Sequence, residues 1–213
     1  MKHFFKLMVA LVLVSVSILT GQEPKSIELP SPQTQIGKPL MQVLMLRQST
    51  RSFDSKVLPL QEISNLLWAA DGINRTETGK RTAPSAMNWQ EVNVYVMMKE
   101  GTYLYDTKGN SLNLVVSRDL REATGKQPFV KEAPLNLVYV SDYGRMGKAS
   151  TNDKTLYGAV DVGFIAQNVY LYCASQGLAV VVRGMIDRDV LASALKLRSD
   201  QKIILAQTVG YPK

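Results

Sequence analysis

The segment Arg47-Gln48-Ser49-Thr50-Arg51 sets two arginines and a serine at alternate positions. In an extended chain, residues two apart project to one face, so both guanidinium groups and the hydroxyl point the same way. A planar guanidinium matches the oxygens of a phosphate, and the serine adds a further donor. Taken alone, the spacing also describes a solvated surface strand, because arginine is mostly exposed. What stands around the segment decides between the two.

Upstream, residues 22–38 carry Pro24, Pro30 and Pro32 and read as an extended lead-in to a short helix over 39–46. Downstream, Ile63, Leu66, Leu67 and Ala70 fall at helical spacing within 60–70, with Gly72 at the stop position. Residues 73–83 hold Arg75, Lys80 and Arg81 and read as a polar loop. Val92, Val94, Val96 and Met98 alternate as in a strand, and Lys99-Glu100-Gly101 turns the chain into Tyr103-Leu104-Tyr105 as a hairpin. A short helix is expected over 118–124, a buried strand over 135–140 and a polar loop over 142–154. Residues 155–176 are apolar nearly all round and stop at Gly177. That pattern predicts a long helix buried on several sides, inside the domain or at a dimer interface. A strand over 178–182, a helix over 188–197 and a strand over 202–209 complete an α+β domain without repeats.

The 213 residues, 46% apolar and 20% charged, suit one globular domain that buries its own core. Lys2 and Lys6 precede an apolar run over 7–19, and Thr20-Gly21-Gln22 then turns small and polar. This is the layout of a secretory signal peptide, and the run is short for a bilayer span. Cleavage fits after Gly21 or after Ser17. The expected organisation is a signal peptide over 1–21, a lead-in over 22–38 and a domain over 39–213. The product is expected to be exported, periplasmic or secreted, with no stable membrane span once the signal is removed. No cysteine lies near the boundary, which argues against a lipid anchor, and no Arg-Arg pair marks a twin-arginine route.

Removing Lys2 and Lys6 takes the net charge from +7 to +5, and the same cut removes His3, the one histidine. A mature chain with no histidine and one cysteine, Cys173, excludes Ser-His-Asp and Cys-His nucleophiles and a histidine-rich metal site. It also excludes an internal disulfide. Cys173 lies in an apolar helical stretch and reads as a small buried thiol. No basic stripe interleaved with aromatics points to nucleic acid; a small anionic ligand suits the charge better.

Two further segments carry polar chemistry. Ala83-Pro84-Ser85-Ala86-Met87-Asn88-Trp89-Gln90 leads into the strand over 91–98. Its small residues let backbone approach a planar ligand, while Asn88 and Gln90 offer donors and acceptors. Val182-Arg183-Gly184-Met185 follows the strand after the long helix, and Gly184 permits an unusual backbone angle or a close approach. Each segment by itself also reads as an ordinary loop or turn.

In this order and spacing the three segments resemble the FMN-dependent nitroreductase family, over about residues 40–211. The 47–54 stretch, with Phe53 and Asp54, resembles that family's phosphate-binding signature, and 84–90 resembles its Pro-Ser-small-x-Asn-x-Gln loop. The helix carrying Gly163, Gln167, Asn168 and Gly177 resembles its dimer-interface helix. Val209-Gly210-Tyr211-Pro212 resembles its last core strand and exit. The resemblance implies a nitroreductase-like α+β fold, with a central mixed or antiparallel sheet flanked by helices and a long central helix at a homodimer interface.

It also implies that Arg47, Gln48, Ser49 and Arg51 hold the phosphate and ribityl chain of FMN. Pro84, Ser85, Ala86 and Asn88 would face the flavin across the dimer interface, and Arg183 and Gly184 would offer backbone groups to the isoalloxazine edge. Family members bring basic residues to the phosphate from a tail beyond the last strand; here Lys213 is the residue expected there. NAD(P)H is the implied electron donor, and a small organic compound such as a nitro compound or quinone the implied acceptor. No catalytic acid or base is required, since the cofactor's electronics carry the chemistry, which accords with the missing histidine. Two other readings stay open: an exported flavin-binding module without catalysis, and a dehydrogenase of modified peptides. The second rests on the length of 99–134, which resembles the peptide-azoline dehydrogenase branch. The short 110–133 stretch suggests a reduced lid over the substrate.

Overall fold

A computed structural model describes residues 26–213, so the expected signal peptide lies outside the described residues. Of the expected lead-in, the Ser26–Glu28 stretch forms β1, paired with a strand far along the chain. Two helices follow, α1 over Leu40–Leu46 and α2 over Leu60–Asp71. Pro39 and Pro59 stand immediately before them, where a residue without an N–H costs the helix nothing. Gly72 ends α2 in an extended conformation rather than a left-handed one. A Cβ there would come within 2.5 Å of the Trp68 ring, so close approach is what requires glycine.

Residues 73–83 are more ordered than the polar loop expected. Ile73–Arg75 (β2) and Lys80–Arg81 (β3) pair, and Arg75 Nη2 donates to the Arg81 carbonyl at 2.7 Å. Next come β4 (Val92–Met97), β5 (Thr102–Asp106) and β6 (Ser111–Val116), then a short helix α3 (Phe129–Glu132) and β7 (Leu135–Asp142). The long helix α4 runs over Thr151–Gln176, followed by β8 (Ala179–Arg183), α5 (Arg188–Ala194) and β9 (Gln201–Gly210). Helix α4 starts four residues before the expected 155, because the Ser150 hydroxyl accepts the Asp153 N–H at 3.1 Å and fixes the start. It stops where expected, at Gly177 in the left-handed region. The helix expected over 118–124 is a 3-10 turn at Arg121–Thr124.

The strands form one sheet in the order β1-β6-β5-β4-β7-β9-β8. Every pairing in it is antiparallel, so of the two sheet types expected the antiparallel one holds. Alternation along β4 divides the core in two. Val92, Val94 and Val96 pack with Leu66 and Leu67 of α2 and Val162 and Val169 of α4. Tyr95 and Met97 face the other way, against Leu191 and Leu195. Both faces of the sheet are therefore covered, with α2 and α4 on one side and α5 on the other.

Helix α4 buries one stripe, Gly158, Asp161, Val162, Ile165, Ala166, Val169, Tyr170 and Cys173, at spacings of three and four. Its opposite face is also apolar: Leu156, Val160 and Phe164 are exposed. So the helix is not enclosed on several sides within the chain. The unburied half of its apolar surface lies outside.

Candidate functional site

Helix α1 closes at Arg47, whose N–H donates to Val43 O at 2.9 Å, and the chain then runs extended beside β8. Strand β8 is the sheet's last strand, so its outward backbone groups have no strand to pair with. Thr50 N–H satisfies the Val180 carbonyl at 2.9 Å, and the Tyr170 hydroxyl accepts the Val182 N–H at 2.9 Å. The segment is thus held at the sheet edge by its backbone. That leaves alternate side chains to point in opposite directions. Gln48 and Thr50 line a cavity of about 220 Å³ with Lys38, Gly177, Leu178 and Pro212.

Tyr170, projecting from α4, ties the expected phosphate face together. Its hydroxyl lies 2.8 Å from Ser49 Oγ, and its ring lies under the Arg47 guanidinium at 5.4 Å. With the phenol accepting from Val182 and donating to Ser49, the serine's own proton is free to meet an acceptor outside. Arg51 is exposed. Among the described residues no carboxylate forms an ion pair with Arg47 or Arg51. Two uncompensated guanidinium groups beside a fixed hydroxyl fit a phosphate dianion. Pro212 bridges to Phe53, and Asp54 N–H donates to Tyr211 O at 2.9 Å, which brings exposed Lys213 alongside the residues that follow Arg51.

The structure also brings the end of β8 to this place, since Tyr170 touches both Ser49 and Val182. The Arg183 side chain, however, turns inward and is 5% exposed. It donates to Thr208 Oγ1 at 2.9 Å, Thr124 O at 2.7 Å, Thr124 Oγ1 at 3.1 Å and Asn136 Oδ1 at 3.0 Å. Burial pushes its pKa down to about 10, which leaves it charged at neutral pH. This side chain fastens the 121–125 turn to the sheet. Only the backbone of Arg183 and the exposed Gly184 are placed to meet a ligand, and Gly184 O already accepts from Ile186 N at 3.0 Å.

The third segment stands elsewhere. Ala86–Asn88 makes a single 3-10 turn, and Met87, Asn88 and Gln90 all have positive φ, at 50°, 55° and 49°. Such angles cost non-glycine residues about 1–3 kcal/mol each and persist only when neighbours over-determine them. Here they do. Ala86 N–H donates to Asp161 Oδ2 at 2.9 Å, Gln90 N–H to Ser85 Oγ at 2.8 Å and Gln90 Nε2 to Gly79 O at 3.0 Å. Trp89 sets its ring edge-on to Tyr157 of α4, 5.9 Å between centroids. Pro84, Ser85, Asn88 and Gln90 line a cavity of about 220 Å³ with the basic Arg75, Lys80 and Arg81, while exposed Met87 stands at the crest.

The loop meets α4 at Asp161 and the arginine segment meets it at Tyr170. Nine residues at 1.5 Å rise put these contacts about 14 Å apart along the helix. One chain therefore joins the arginine segment to β8 but holds the 84–90 loop apart. An exposed apolar face lies on the same two helices. All of α1 except Val43 is unburied, with Met41 at 73% and Met45 at 87%, and Leu156, Val160 and Phe164 form a stripe on α4 four residues apart. Isolated apolar residues are ordinary on a surface; a contiguous patch marks contact with another molecule.

Sequence reasoning missed Tyr170, Asp161 and Glu91. Tyr170 and Asp161 left a signal, because each falls on the buried stripe of α4 at a position whose neighbours are apolar. Glu91 left none. It sits between the loop and β4 and is fully buried.

Comparison with known proteins places this arrangement. The model of the nitroreductase family matches residues 44–211, a span that takes in all three segments. A protein of Methanocaldococcus jannaschii, provisionally named a nitroreductase, is 32% identical over 169 residues, covering 75% of this chain and 85% of its own length. A crystal structure from Ralstonia eutropha JMP134, likewise provisionally named a nitroreductase, is 46% identical with a TM-score of 0.85, covering 89% of this chain and 90% of that one. The NADPH:FMN oxidoreductase of Vibrio harveyi complexed with NAD+ shares the fold at 22% identity and a TM-score of 0.62, over 82% of this chain and 69% of that one. The chain belongs to the nitroreductase family.

Proposed function

We propose that the protein is an FMN-dependent oxidoreductase that works as a homodimer. The observation that carries this reading is the pair of guanidinium groups of Arg47 and Arg51, without an ion pair among the described residues, beside the Tyr170-anchored Ser49 hydroxyl, in a chain of this family. These three side chains would bind the phosphate, with Gln48 and Lys213 at its margins. The backbone at Arg183 and Gly184 would orient the ring edge. Pro84, Ser85, Ala86 and Asn88 would come from the second copy, which accounts for their separation from Arg47 within one chain and for the apolar face on α1 and α4.

When bound, FMN supplies two-electron transfer between a reduced nicotinamide and a small organic acceptor such as a nitro compound or quinone. A Vibrio harveyi relative matching 44% of this chain at 30% identity is named an NADPH-flavin oxidoreductase, which favours NADPH as the donor to try first. The residues' own tasks are to bind, to orient and to exclude water. Stopped-flow mixing of the FMN-loaded protein with NADPH or NADH tests the reading: rapid bleaching is expected, and then recolouring on addition of a quinone. A bound flavin that no nicotinamide bleaches would leave a binding module in its place. Residues 1–21 we read as an export signal, tested by N-terminal sequencing of the protein from outside the cytoplasm. A chain that still begins at Met1 there would refute it.

A further inference from the structure

Beneath the 84–90 loop lie two acids. Glu91 is wholly buried at the entrance to β4, and Asp161 of α4 is 2% exposed. Glu91 Oε2 accepts the Ser85 hydroxyl at 3.2 Å, whereas Oε1 is buried with no partner among the described residues. Asp161 holds the next residue, Ala86, so the two carboxyls converge on one turn, and burial together with the charge of Asp161 pushes the Glu91 carboxyl above its ordinary range. Two neighbouring carboxylates held out of water do not both ionise. A proton on Glu91 would turn the orphan Oε1 from an unmatched acceptor into a donor.

Each acid also grips the loop. Asp161 Oδ2 holds the Ala86 N–H, and the Ser85 hydroxyl that donates to Glu91 accepts the Gln90 N–H. So the bonds that hold Met87, Asn88 and Gln90 at positive φ run to this pair of carboxyls. The other charges around it are engaged elsewhere. Asp71 of α2, which feels the charge of Glu91, is bonded to Arg81 of β3. Arg145, in the turn after β7, donates to Gln90 O at 3.0 Å and lies 3.8 Å from Asp142. From β7 itself the Ser141 hydroxyl is buried without a partner among the described residues.

We propose that Glu91 and Asp161 share one proton that clamps the 84–90 loop in its strained form, making Glu91 a positioning residue for the flavin. The positioning role rests on the reading that this loop faces FMN. Loss of the shared proton as pH rises leaves two negative charges under the same turn, and the loop relaxes away from α4.

Trp89 is a built-in reporter, since it lies in the loop against Tyr157 and the chain has one other tryptophan, Trp68. In a Trp68→Phe background without FMN, Trp89 emission is followed from pH 5 to pH 9. The parent should show an alkaline transition. Glu91→Gln and Asp161→Asn each leave one carboxyl bonded to an amide, so both should be flat. FMN affinity, measured by fluorescence quenching, should fall at least about tenfold in the parent from pH 7 to pH 9 and less than twofold in either variant. A parent whose emission does not change, or a transition that both variants retain, would overturn the clamp. Should one variant fail to fold, the other still decides. FMN binding with the parental pH profile in the variants would refute the clamp alone. Absence of FMN binding at every pH would refute the cofactor reading and the positioning role with it, while Trp89 emission still judges the shared proton.

Discussion

Changing Tyr170 to phenylalanine removes one oxygen and leaves the ring that supports Arg47. That oxygen accepts the Val182 N–H at 2.9 Å and lies 2.8 Å from Ser49 Oγ. A neutral hydrogen bond nets about 1 kcal/mol, and a buried donor left without a partner costs about 1–3 kcal/mol. Val182 is half-buried at the sheet edge, so its N–H recovers part of that loss from water. The expected cost is about 2 kcal/mol of folding stability, or roughly 4–8 °C in melting temperature for a domain of this size. Ser49 also loses the partner that orients its hydroxyl. One misdirected donor to a phosphate is worth about 1.4 kcal/mol, a tenfold weakening of FMN binding. Circular-dichroism melts and an FMN quenching titration read the two effects separately. A parental melting temperature together with a parental affinity would refute the role given to Tyr170.

Arg183→Met strips three elements of a shared partner and should cost about 3 kcal/mol or more in urea unfolding; a change under about 1 kcal/mol would contradict the inward reading. Burial pushes the Asp71 carboxyl from 3.8 up to about 7, against the pull of Arg81 beside it. Its folded state holds a proton that the unfolded state has released, so this contribution is full below about pH 4 and is lost as pH rises through about 7. The melting temperature should therefore fall between pH 5 and pH 8.5 by less in Asp71→Asn than in the parent; equal falls would reject it. Val160→Asp and Phe164→Glu, each placing a charge on the exposed stripe of α4, should halve the mass seen in sedimentation and weaken FMN binding. A parental mass in both would remove the second copy from the site.

The sequence made most of the fold legible because its signals were periodic. Val92, Val94 and Val96 alternate, and the long helix ends on a glycine that adopts the left-handed conformation expected of a stop. Where burial is partial the signal thins. In β6 only Leu112 is fully buried and Asn113 is exposed, so Leu112, Leu114 and Val116 alternate without a sharp inside and outside. Pairing of β2 with β3 brings Arg75 to the Arg81 carbonyl, a contact that no local pattern announces.

The site divides in the same way. The alternation of Arg47, Ser49 and Arg51 is local and was readable. The fate of the Arg183 side chain depends on Thr124, Asn136 and Thr208, which lie 25 to 59 positions away in the chain. Asp161 could have been found as an acid at core spacing on α4. The strain at Met87 could not, since methionine does not announce a positive φ in the way glycine or asparagine does.

The claim on which the rest depends is that the Arg47 to Arg51 segment holds a flavin phosphate. FMN titration of the parent beside Arg47→Ala and Arg51→Ala tests it directly. Charge-assisted hydrogen bonds are worth about 1.5–3 kcal/mol, and exposure of Arg51 favours the lower end, so each change should weaken binding about tenfold or more. Equal affinity in all three proteins, or a parent that takes up no FMN, would contradict the account.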